Sequence, residues 1–258
     1  MEHYFLSVVI AMQLISCQFK NNSYSKNFLK NAELKIHSEK KILYKDDFEI
    51  YENTNQISDH WDVDGNVKIT DSMSFSGKKS LQFTSGEGFK NRAFIYLSKI
   101  FPLTGNSFYG SMQFYIEEAS PNGIHWTMIQ ASGKVKNKNY TSEVRFGGQH
   151  NKQFMANYDT QGLKTDCWQH STTKIREGKW TKYQWYFNGE NNTMKLWVDD
   201  ILLEDIVIIN SGEGCLNDDT NGKWIFPVFD TLSLGWVDYQ TGGGKRKFWI
   251  DDVVIWQE

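Results

Sequence analysis

Apolar and polar residues alternate with a period of two along much of the chain. From Thr181 to Phe187, Tyr183, Trp185 and Phe187 share one face and Lys182, Gln184 and Tyr186 share the other, the signature of a half-buried β-strand. Met194, Leu196 and Val198 point inward along the next run. Asp199-Asp200 then makes a tight turn, and Ile201 to Asp205 returns as the second arm of a hairpin. Lys247 to Trp256 is largely apolar and is predicted to be a central strand. Short runs of this kind, separated by Gly, Asn and Asp, continue from residue 44 to the C-terminus. No long stretch has a helical period and no segment repeats. The pattern predicts an all-β domain, a sandwich of two antiparallel sheets, over residues 44–258.

The first residues break this pattern. An apolar run from Phe5 to Ile15 ends in Leu14-Ile15-Ser16-Cys17. It is too short to span a bilayer, which takes about 20 apolar residues, and it reads as a lipoprotein signal peptide over residues 1–17, with Cys17 as the acylated residue. Residues 18–43 are rich in Lys, Asn and Ser and are predicted to form a flexible tether. The domain is therefore expected to be exported and held in the cell envelope by lipid, on the periplasmic or the outer side. Membrane contact is expected through that lipid alone.

Composition adds three points. The formal net charge of -3 gives no electrostatic footprint for nucleic acid. Aromatic residues make up 15% of the chain, with 10 Trp; such residues either fill a sandwich core or stack on sugar rings. Beyond Cys17, Cys167 and Cys215 remain as an even pair at a spacing that fits no zinc motif, and export permits a disulfide between them.

Three segments carry a face too polar for a plain core strand. In Ser142–His150, period two puts Glu143, Arg145, Gly147 and Gln149 on one face and Val144 and Phe146 on the core side. This face is either a solvated surface or a floor on which a polymer lies, with the glycines clearing room. In Ile124–Gln130, His125 and Thr127 share one face and Gln130 the other, so His125 and Gln130 reach one groove only if the strand bulges. In Thr231–Gln240, Leu232 and Leu234 face the core and Ser233, Gly235 and Tyr239 face outward. Trp168 either stacks on a sugar or packs over a disulfide. Tyr158 and Lys182 are further substrate-binding candidates, with Glu143.

The runs His125-Trp126-Thr127-Met128-Ile129-Gln130, Glu143-Val144-Arg145-Phe146-Gly147-Gly148-Gln149, Leu234 to Gly243 and Phe248 to Trp256 together resemble the β-jelly-roll polysaccharide lyases, in particular glucuronan lyase and the related cellulose-induced fungal protein. The resemblance implies a concanavalin-like jelly roll with a concave groove. It also implies β-elimination on a uronic-acid polymer, so the expected partner is an acidic polysaccharide. The chain departs from alginate lyases of this architecture in lacking their Gln-Ile-His triplet. In such chemistry, donors such as Arg145, Gln149, Gln130 or His125 neutralise the sugar carboxylate. Tyr239 is the expected base, with Arg145 as the cation beside it, and His125 is the alternative base. By the same resemblance, Glu49, Ser76 and Asp251, with Asp47 as an alternate, are expected to hold a structural Ca2+ through hard oxygen ligands.

Two other functions are consistent with these residues: a non-catalytic carbohydrate-binding lipoprotein, and a glycoside hydrolase. Hydrolysis calls for two carboxylates flanking the bond, and Glu143 is the one acid placed firmly on the floor, with Asp159 and Asp238 near it. A monomer is expected.

Overall fold

The computed structural model describes residues 39–52, 57 and 59–258. The expected signal peptide, Cys17 and most of the expected tether lie outside these residues. Seventeen strands follow in chain order: β1 (Lys41–Asp46), β2 (Trp61–Asp64), β3 (Asn66–Thr70), β4 (Ser80–Ser85), β5 (Ala93–Leu97), β6 (Ser107–Ile116), β7 (Trp126–Lys134), β8 (Thr141–Gln149) and β9 (Gln153–Gln161). Then come β10 (Asp166–Lys174), β11 (Thr181–Asn188), β12 (Thr193–Val198), β13 (Ile201–Leu202), β14 (Ile208–Ile209), β15 (Gly214–Leu216), β16 (Val228–Asp238) and β17 (Arg246–Gln257). Among the described residues the helices are three short 3₁₀ turns.

The strands form two antiparallel sheets. One has the order β13-β12-β11-β6-β17-β4-β3, with β1 also on β17 and β14 on β12; the other runs β15-β10-β9-β8-β7-β16-β5-β2. The inner faces of both sheets supply the core. Tyr183, Trp185 and Phe187 of β11 are fully buried, as their alternation predicts. Tyr183 meets Phe154, and Phe187 meets Phe146 and Phe229, from the facing sheet. Trp126 of β7 stacks on Trp236 of β16 at 4.4 Å, so one tryptophan from each strand is spent on the core rather than on a ligand. The final strand is central, between β6 and β4.

Two boundaries differ from the sequence reading. The first described strand begins at Lys41, inside the range expected for the tether, because Lys41 and Ile42 pair with Gln257 and Trp256. The hairpin after β12 turns at Asp199 and Asp200, both at positive φ, but its return arm ends at Leu202. Asp205, predicted to be the end of that arm, sits in a 3₁₀ turn and accepts the Thr172 N–H at 2.8 Å.

Candidate functional site

The outer face of the second sheet carries the site. Tyr96, Ser233, Gln130, Arg145, Asn157 and Trp168 are partners in register across β5, β16, β7, β8, β9 and β10. Side chains on alternate positions of each strand point into the core, so this row is a continuous line of outward groups. A cleft of about 450 Å³ opens over its middle, lined by Phe89, Arg92, Phe94, Tyr96, Gln130, Glu143, Arg145, Asp159, Gln161, Ser233, Val237 and Tyr239.

Arg145 anchors the cleft floor. It is 7% exposed. Its Nε donates to Gln130 Oε1 (3.1 Å) and its Nη1 to Asn157 Oδ1 (3.0 Å). Its Nη2 donates to Glu143 and, at 3.2 Å, to Asp159. Burial by itself would lower its pKa; Tyr239, Glu143 and Asp159 more than offset this and keep it a fixed cation. Because Gln130 accepts through its carbonyl oxygen, its NH₂ group is left for another partner.

Tyr239 stands above this cation, with the guanidinium 5.6 Å from its ring centre. Its hydroxyl lies 3.2 Å from Thr127 Oγ1, and Phe89 packs on the ring at 5.9 Å. Burial raises the Tyr239 pKa and Arg145 pulls it down; burial prevails and the phenol is protonated near neutrality. His125 stacks on the same ring at 4.5 Å. Two local bonds fix it there: the Tyr239 N–H donates to the His125 carbonyl (2.9 Å), and the His125 N–H donates to Gln240 Oε1 (2.7 Å). Desolvation, then Arg145 and His170, push its pKa down to about 3. The imidazole is neutral, its Nε2 is buried without a partner, and it does not line the cleft.

The bulge that the sequence reading required is present. The β7–β8 register slips between Thr127 and Ile129, so Met128 and Ile129 are both buried in the core and Gln130 returns to the face that holds Thr127 and His125. Arg145, Tyr239, Gln130, Glu143 and His125 are thereby brought together.

Several expected residues lie elsewhere. Gln149 is four residues beyond Arg145, about 13 Å along an extended strand, and pairs with Gln153 at the strand end, away from the cleft. Gly147 and Gly148 do not clear ligand space. A Cβ on Gly147 would stand 1.9 Å from the Trp126 carbonyl, and one on Gly148 2.3 Å from the Trp126 ring, so the bulge and the core require them. Tyr158 is fully buried and stacks on Trp224; the alternation that puts Asn157 and Asp159 outward puts it inside. Lys182 is on β11, in the opposite sheet, paired with Asp200 at 2.6 Å. Asp238 is buried, accepting from Trp236 Nε1 at 2.8 Å.

Cys167 and Cys215 form a disulfide between β10 and β15. Trp168, one residue on, faces outward against Gly214, on the side of the row rather than of the disulfide. Asn157, Asp159, Gln161 and the aromatic wall of Phe89, Phe94 and Tyr96 are site residues that the sequence reading passed over or left at the margin. The alternation Asn157-Tyr158-Asp159 held the signal for two of them; Phe89, in a 3₁₀ turn, had none.

The expected calcium residues converge on the 74–79 loop. Glu49 Oε1 accepts from the Lys78 and Lys79 N–H groups at 2.8 and 2.7 Å. Asp251 Oδ2 accepts from Phe75 and Ser76 at 2.8 and 3.2 Å. Asp251 is fully buried, and desolvation raises its pKa to about 6. A buried, under-compensated carboxylate among hard oxygen donors fits calcium in kind. Amide N–H groups hold these oxygens, and the Lys79 ammonium binds the Glu49 and Tyr51 carbonyls at 3.2 and 2.6 Å. Among the described residues Asp47 accepts the Glu49 N–H at 3.3 Å and approaches Lys45 at 4.0 Å.

With the groove and its Arg-Tyr-His cluster in place, comparison with known proteins decides the family. The family described as "Polysacc_lyase-like: Cip1-like, core domain" matches residues 51–258. The chain belongs to this family. No curated protein matches the sequence. Among solved structures, Cellulose induced protein, Cip1, aligns with a TM-score of 0.59 at 17% identity, over 82% of this chain and 96% of that one. LamAcat from Zobellia galactanivorans aligns with a TM-score of 0.48 at 16% identity, over 84% and 98%. A Bacteroides ovatus mixed-linkage glucan GH16 protein gives 0.48 at 13%, over 83% and 100%. At such identities the Cip1 match speaks for a shared jelly-roll fold. The Cip1-like core thus spans both sheets described above, cleft included.

Proposed function

We propose that this Cip1-like protein is an exported, lipid-anchored polysaccharide lyase that cleaves a uronate-containing polymer by β-elimination. The observation that carries the reading is the placement of Tyr239 at the cleft wall, its hydroxyl held by Thr127 and its ring over the fixed Arg145 cation. Elimination requires that the C5 proton leave while the C4–O4 bond breaks and a C4=C5 double bond forms. Tyr239 as phenolate takes the C5 proton and returns it to the departing O4, so one group closes the proton balance. Arg145 lowers the cost of the phenolate and of the enolate charge, and the free NH₂ of Gln130 donates to the sugar carboxylate. His125, neutral and stacked behind the ring, is a positioning residue. Calcium, where bound, is held by Glu49, Asp251 and the loop at Ser76 and supplies rigidity. The Cys167–Cys215 bridge supports export, since disulfides persist in oxidising compartments.

A second reading, glycan binding without cleavage, is favoured by one feature: Glu143 and Asp159 already neutralise Arg145. Incubation with uronate polymers separates the two. The wild type is expected to generate ultraviolet absorbance from an unsaturated sugar end, and Tyr239→Phe to lose it by roughly 10²- to 10⁴-fold while still binding polymer. New reducing ends without absorbance would instead indicate hydrolysis, and retention on polymer with no product would indicate a binding protein.

A further inference from the structure

One step along the strands from the Arg145 row, Glu143, Asp159 and Asp166 stand directly opposite one another on β8, β9 and β10. Like charges so placed weaken a sheet, and the core does not ask for them, because Val144, Tyr158 and Cys167 serve it from the alternate positions. Compensation is partial. Arg145 binds Glu143 and Asp159, while Asp166 receives only the Asn157 amide, at 2.8 Å. On the other wall Arg92 is bound to Asp64 at 2.6 Å. The cleft is thus lined by two arginines and by Glu143 and Asp159, and two more carboxylates adjoin it, Asp64 on Arg92 and Asp166 opposite Asp159. Phe89, Phe94 and Tyr96 line the rest with uncharged rings. The donor left over is the Gln130 NH₂ group, in the Arg145 row rather than the acidic one, and Tyr239 lines the same cleft.

We propose that the cleft selects a polymer in which a single uronate is flanked by neutral sugars, and discriminates against homopolyuronates. In a homopolyuronate every ring carries a carboxylate, so a ring seated at Gln130 and Tyr239 forces its neighbour over Glu143, Asp159 and Asp166. Neutral hydroxyls there instead donate to the same carboxylates, and an apolar ring face lies on Tyr96 or Phe94. The position of the uronate rests on the elimination reading; the charge argument concerns binding and is measured separately.

Calorimetric titration with two oligosaccharides of equal length tests it, one a homopolyuronate and one alternating uronate with neutral sugar. At low salt the alternating ligand is expected to bind about tenfold tighter or better, the scale of one unscreened like-charge contact. The gap narrows in about 0.5 M salt as the repulsion is screened, and narrows again in Asp159→Asn. Asp166→Asn serves as a second variant should the first fail to fold. Equal or tighter binding of the homopolyuronate overturns the proposal, as does a gap indifferent to salt and to both variants, or binding of neither ligand. Tight binding of the alternating ligand with no unsaturated product supports the specificity and sinks the lyase. Faster cleavage of the homopolyuronate does the reverse.

Discussion

Each sheet of this sandwich carries a cross-strand row on its outer face, and the two rows are built on opposite principles. On the first sheet, Tyr186, Tyr109 and Trp256 are in register across β11, β6 and β17. Their rings stack at 4.4 and 5.4 Å, and Lys40 caps the end 3.6 Å from the Trp256 ring. Each ring of the row already has a neighbour packed against it. On the second sheet the row of Ser233, Gln130, Arg145, Asn157 and Trp168 is polar, and it sits under a cleft. Aromatic residues on a β surface therefore do not identify a sugar platform; what matters is whether their faces are already in use. In this protein the row under the cleft is the one with a buried cation and an amide left over.

The sharpest way to break that contrast is to remove the cation. Arg145→Leu strips two neighbouring carboxylates of their counter-charge, leaving Glu143 and Asp159 uncompensated. It is expected to cost about 3–5 kcal/mol of stability, read by chemical denaturation, and to abolish the unsaturated product. The double variant Arg145→Leu/Glu143→Gln is expected to recover part of the stability and none of the activity. A single variant as stable as wild type would show that the cluster is not a coupled unit.

The sequence made the sandwich legible because burial on one face of a strand writes itself as period two, which β11 and β12 carry cleanly, and burial on both faces as the largely apolar run of β17. Arg145, Tyr239 and Glu143 were legible for the same reason, whereas alternation alone put Gln130 on the opposite face from His125. What escaped was whatever depends on a partner strand. The slip at Met128, which turns Gln130 toward His125, depends on the β7–β8 register and on the tight backbone approach at Gly147. Gln149 was misplaced because alternation assigns a face but not a distance along it. Tyr158, a substrate-binding candidate in the sequence, is buried by its own alternation with Asn157 and Asp159. Lys182 lay on a correctly assigned outer face, but of the wrong sheet, since strand order is not written in local pattern.

A second test works through pH and is smaller, tenfold per unit. Burial holds the Tyr239 pKa above its ordinary value, so the phenolate is a minor species at neutrality. Below that pKa its fraction grows about tenfold for each pH unit. The elimination rate is expected to climb steadily from neutral into alkaline solution, with kcat/KM tracking it. His125, with a pKa near 3, adds no acid limb between pH 5 and pH 7, the range in which an ordinary histidine would titrate. A descending limb there, lost in His125→Gln, would assign the proton transfer to the imidazole instead.

The smallest expected effect tests the other face. If the row of Tyr186, Tyr109 and Trp256 is satisfied within itself, its loss is a matter of stability alone. Tyr109 is the middle ring and contributes to both stacked pairs, each worth roughly 0.5–1.5 kcal/mol beyond buried area. Tyr109→Leu keeps most of the apolar contact with the sheet and removes both stacks. It is expected to lower stability by about 1–2 kcal/mol, with polymer affinity and elimination rate unchanged. A loss of affinity at wild-type stability would mean that the first sheet also meets the ligand, and the distinction between the two rows would fall.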